Sequence, residues 1–87
     1  MTKKKYYGGL SVDLETVSLI QTFSLDGRLF VYIPDNEHGG RIIAIDEIIS
    51  LVPSYNAKGS MLWLKGSDKA IRCDPTVEEV AYALSNN

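Results

Sequence analysis

The most chemically suggestive string in the chain is Lys3-Lys4-Lys5-Tyr6-Tyr7, where cationic side chains adjoin aromatic rings. Nucleotides and single-stranded nucleic acids are held by that combination, with charge on the phosphate and a ring stacked on the base. Three lysines near a chain end also serve as a solubilising tail, so both readings stand. Arg28 and Arg41 are the cations in the body of the chain that such a ligand site would recruit. Gly39-Gly40-Arg41 offers backbone amides to an anion in the manner of a nest. It lacks the spacing of a phosphate loop and a following helix, and reads more simply as a turn.

Catalytic parts are scarce. His38 is the single histidine, in a polar loop with Asp35 and Glu37 and without a spaced set of co-ligands, so no metal site is expected. Cys73 is the single cysteine; Arg72 beside it points to the opposite face of a strand, and a buried, inert thiol is the expectation. No serine lies in a nucleophile-elbow pattern. Glu78-Glu79 and Asp46-Glu47 are adjacent carboxylates of the kind used in acid–base work, yet at a helix start they are better explained by capping and the helix dipole. The chain is therefore expected not to be an enzyme and to carry no cofactor.

These residues must be positioned by a small scaffold. Eighty-seven residues, 45% hydrophobic and 23% charged, fit one folded domain with a thin core. A lone cysteine excludes an internal disulfide and cysteine-pair zinc sites, and no apolar run has the length of a membrane span. A soluble, cytoplasmic protein is the expectation. The net charge of −2 conceals an acidic body, since three of the nine basic residues sit at positions 3–5. Such a body argues against a broad nucleic-acid-binding face.

Residues 1–9 read as a mobile basic arm with a Gly8-Gly9 hinge, and 10–87 as a single β-rich domain. Residues 10–23 suit a strand through their Val, Ile, Thr and Phe content. Asp26-Gly27 is the strongest hairpin signal, followed by a strand that stops at Pro34. Further strands are expected at 41–45, 60–65 and 69–73, while 45–52 reads either as a strand or as a helical turn near Asp46-Glu47. One helix is expected at about 76–85, with Val77, Val80, Ala81 and Leu84 on one stripe. Asp74 or Thr76 would cap it, Pro75 would open it, and Thr76 to Glu79 fit a capping box. Sliding the chain by about 32 residues aligns Glu15, Ser18, Leu19 and Gly27 with Glu47, Ser50, Leu51 and Gly59. Two stacked hairpin units or a chance match of two hairpins would both give that alignment.

Ile45, Ile48-Ile49, Leu62-Trp63-Leu64, Gly66 and Thr76-Val77-Glu78-Glu79-Val80 together resemble the small FlbD-type flagellar and swarming-motility proteins. The resemblance covers the second half of the chain and rests on structural residues. It implies a non-enzymatic accessory or regulatory role and supplies no catalytic residues. The first 40 residues lie outside the pattern, and Ser67-Asp68 departs from its expected turn.

The expected fold is thus α+β and β-dominated: about six mostly antiparallel strands in a small or barrel-like sheet, with a C-terminal helix. Small sheets leave edges that must be paired or covered. Self-association is expected, with Val31, Ile33, Ile42 and Trp63 supplying apolar surface, and one protein partner fits the same reading. The alternative is a nucleotide or single-strand binder using Lys3–Tyr7 with Arg28 and Arg41.

Overall fold

The computed structural model describes residues 4–7, 10–37, 39–54 and 58–85. It is β-dominated, as expected, but its strands divide into three sheets rather than one. Strands β1 (Lys4–Tyr7) and β2 (Leu10–Asp13) form an antiparallel ribbon. That pairing joins residues 4–7 to the segment expected to open the domain; Gly8 and Gly9 lie outside the described residues.

Asp13 ends β2 and begins a helix absent from the sequence expectation, α1 (Leu14–Leu19). Its carboxylate accepts from the Glu15 and Thr16 amides at 3.0 and 3.5 Å, satisfying donors that a helix start leaves open. The predicted strand over 10–23 is corrected accordingly: β2, α1 and the start of β3 (Gln21–Leu25) share that stretch.

Strands β3, β4 (Arg28–Ile33) and β5 (Arg41–Ala44) form an antiparallel meander. Leu25 pairs with Arg28 around Asp26-Gly27, both at positive φ (53° and 79°), which is the requirement of a tight type I′ hairpin. A 3-10 turn at Ile45–Glu47 leads into β6 (Ile48–Pro53), so residues 45–52 hold both the helical turn and the strand. Strands β6, β7 (Ser60–Leu64) and β8 (Ile71–Cys73) form the second meander, with Ile49 as the extra residue of a bulge in β6.

The chain ends in α2 (Val77–Ser85). The capping box forms as predicted: the Thr76 hydroxyl accepts from the Glu79 amide at 3.1 Å, and Glu79 Oε1 accepts from the Thr76 amide at 2.9 Å. Thr76 is therefore the cap, and Pro75 precedes the helix rather than opening it. The two meanders and α2 enclose one core built on Val31, Ile33, Ile43, Leu62, Cys73, Val80 and Ala83.

The 32-residue alignment lays β4 on β7, but the two strands bury opposite parities. Val31 is fully buried while Trp63, its match, is exposed. Since a strand alternates faces at every residue, the sequence match does not correspond to a repeated packing unit.

Candidate interaction surface

Each meander has an inner face in the core and an outer face toward solvent. In the first meander, Val31, Ile33 and Ile43 point inward. The opposite parity places Phe23 and Leu25 on β3, Phe30 and Tyr32 on β4, and Ile42 on β5 on the outer face. The Phe23 and Phe30 rings stack with centroids 5.8 Å apart and planes 19° from parallel, an arrangement that aromatic quadrupoles favour. Ile42 is 63% exposed and Leu25 59%. At one end of this face, Arg28 lies 5.7 Å from the Phe30 centroid. At the other, the Tyr32 hydroxyl donates to the Gly39 carbonyl at 3.0 Å. The second meander repeats the theme more sparsely, with Trp63, Val52 and Ile49 exposed.

The expected interface residues accordingly divide. Ile42 and Trp63 are surface, on different sheets. Val31 and Ile33 are corrected: both have no exposed area and serve the core. Sequence reasoning overlooked Phe23, Leu25 and Phe30, whose signal was the hairpin register itself, since Asp26-Gly27 sets Phe23 opposite Phe30.

The expected ligand-binding cations are not gathered into one place. Arg28 opens β4, whereas Arg41 pairs with Ile33 at its far end, a separation of about 17 Å along the strand. Arg28 is engaged by Asp46 at 3.1 Å and Glu47 at 3.2 Å, and its hydrogen bond to Asp46 pushes its pKa up. Arg41 Nε lies 3.5 Å from the buried carboxylate of Asp35. Lys4, Lys5, Tyr6 and Tyr7 lie on β1, in a different sheet. Lys3 and His38 fall outside the described residues.

Asp13, Cys73, Asp74 and Glu79 serve structure. Burial pushes the Cys73 thiol up to about 11, so it stays protonated and poorly nucleophilic near neutrality. A cleft of about 460 Å³ runs beside Asp13, Lys58, Asp74, Glu78 and Glu79. Asp13 caps α1 there, and Asp74 accepts from the Asn36 amide at 2.7 Å and from Arg72 at 2.9 Å. Glu79, 8% exposed, takes the Thr76 amide on Oε1 and the Asp13 amide on Oε2, each at 2.9 Å. One carboxylate thus serves the starts of both helices. Among the described residues no three His, Cys, Asp or Glu side chains are grouped to hold a metal, and no helix is long and apolar enough to cross a membrane.

Comparison with protein families, with curated proteins and with solved structures finds no match for the chain.

Proposed function

We propose that this protein is a small, non-catalytic interaction or regulatory module of the cytoplasm that acts by binding protein, itself included. The observation that carries the reading is the outer face of the first meander, where stacked Phe23 and Phe30 adjoin exposed Leu25 and Ile42. A contiguous aromatic and aliphatic face on a small monomer costs hydration free energy that a protein partner removes. Aromatic residues with an arginine at the rim match the composition of protein interfaces. The accessory role implied by the likeness of the second half to FlbD-type motility proteins agrees with this reading.

Sedimentation velocity over a wide concentration range tests it. Association that grows with concentration and weakens in Leu25→Lys is the expected result. Leu25 is 59% exposed, so the lysine leaves the core intact. A wild-type chain that stays monomeric at every concentration removes the self-association part of the reading.

A further inference from the structure

We infer that two copies of this chain pair antiparallel through the free edge of β3, with the two-fold axis passing beside Phe23. This rests on the self-association proposed above and names the surface and register that achieve it.

The hairpin register fixes which groups are available. Leu25 and Arg28 flank a two-residue turn and form a hydrogen-bonded pair, as do Phe23–Phe30 and Gln21–Tyr32 two and four residues further on. The backbone groups of Thr22 and Ser24 therefore point away from β4, which is the one hydrogen-bonded neighbour of β3 among the described residues. Thr22 and Ser24 flank Phe23 symmetrically. An antiparallel second copy thus sets Thr22 against Ser24 of the second copy, and Ser24 against its Thr22, with every outward amide of Thr22 and Ser24 paired.

The other edges of the two meanders carry devices against pairing, and among the described residues this one does not. β6 carries a bulge at Ile49 and ends on Pro53; β8 has three residues; β5 begins on the charged Arg41 and faces the turn after Leu64 across a cleft. These are the usual devices against edge pairing. The β3 sequence Gln-Thr-Phe-Ser-Leu has no charge and no proline, and its register with β4 is unbroken. Nothing in it repels its own copy.

The side chains add to the match. Phe23 meets Phe23 of the second copy in a non-hydrogen-bonded pair, the closer kind. The Phe23–Phe30 stack then continues as one row of rings across the axis, and exposed Leu25 comes opposite Gln21.

Amide exchange followed by NMR on the wild-type protein is the first test. The amides of Thr22 and Ser24 are expected to exchange freely in dilute solution and to slow together as concentration rises. Phe23→Cys, with buried Cys73 left in place, is expected to form an interchain disulfide on mild oxidation. Gln21→Cys is not, since its mate lies about 13 Å away along the strand. Phe23→Lys sets like charges face to face and is expected to raise the dimer dissociation constant about tenfold or more. A dimer whose Thr22 and Ser24 amides stay unprotected, and which does not cross-link through position 23, overturns this pairing and leaves self-association standing. A chain that is monomeric throughout overturns both.

Discussion

Glu79 shows how much one side chain can hold in a small domain. Its two carboxylate oxygens accept from the amides that begin α1 and α2, and both bonds are largely shielded from water. In Glu79→Gln one of those amides must face an NH₂ group, leaving a donor without an acceptor. The expected loss is about 1–3 kcal/mol, which urea denaturation would register as a lower midpoint with an unchanged slope. Cys73 gives a second test at this scale. Its folded pKa of about 11 lies above the ordinary value of 9.0, so the folded state binds the proton more tightly than the unfolded state. The associated stability is fully present below pH 9 and is lost as pH rises toward 11. Urea midpoints should fall across that window more steeply for the wild type than for Cys73→Ala; equal slopes would remove the thiol from the explanation. The capping role of Glu79 toward Thr76 was readable from Thr76-Val77-Glu78-Glu79. Its bond to Asp13 was not, because no local spacing announces a contact across 66 residues.

Elements differ in how openly their sequences declare them. The β3–β4 turn was legible because few residue pairs tolerate two successive positive φ values, and Asp26-Gly27 is one of them. Helix α1 was hidden by its brevity and by Thr16 and Val17, whose branched side chains favour strands. Six residues are too few to stand alone as a helix; the Asp13 cap and packing against α2 stabilise it. Past Arg28, β4 carries large hydrophobic or aromatic side chains on both parities, Leu29, Val31 and Ile33 against Phe30 and Tyr32. Alternation therefore says which residues share a face and not which face is buried, and only the tertiary packing puts Val31 and Ile33 in the core. At the junction of β7 and β8, Gly59 has φ 110° and lies against the Cys73 carbonyl, where a Cβ would collide. Gly59→Ala should cost about 1–3 kcal/mol, seen as a lower melting temperature; an unchanged melting temperature would show that the two strands can separate without penalty.

At the scale of the whole molecule, the residues that build the core are distinct from those of the surface proposed for association. Leu62→Ala empties part of the core shared by both meanders and should cost about 2–5 kcal/mol. Leu25→Ala removes an exposed side chain of β3 and should leave stability within about 0.5 kcal/mol while weakening association. Denaturation and sedimentation run on both variants would separate the two effects, and a large stability loss in Leu25→Ala would mean that its face is structural. The architecture of strands closed by a C-terminal helix was visible in the sequence because hydrophobic periodicity reports it. The division into separate meanders was not, since it depends on which strands find each other over long range.

The bond between Glu79 and Asp13 also bears on how the chain is made. A ribosome delivers the first turn of α1 sixty-six residues before the acceptor that serves its opening amide. Until residues 62 and 80 follow, the inner face of the first meander, with Val31, Ile33 and Ile43, lacks the Leu62 and Val80 that cover it. The nascent amino-terminal half is therefore an incomplete object, and the arrival of α2 both closes the core, through Val80 and Ala83, and fastens the first helix to the last through Glu79.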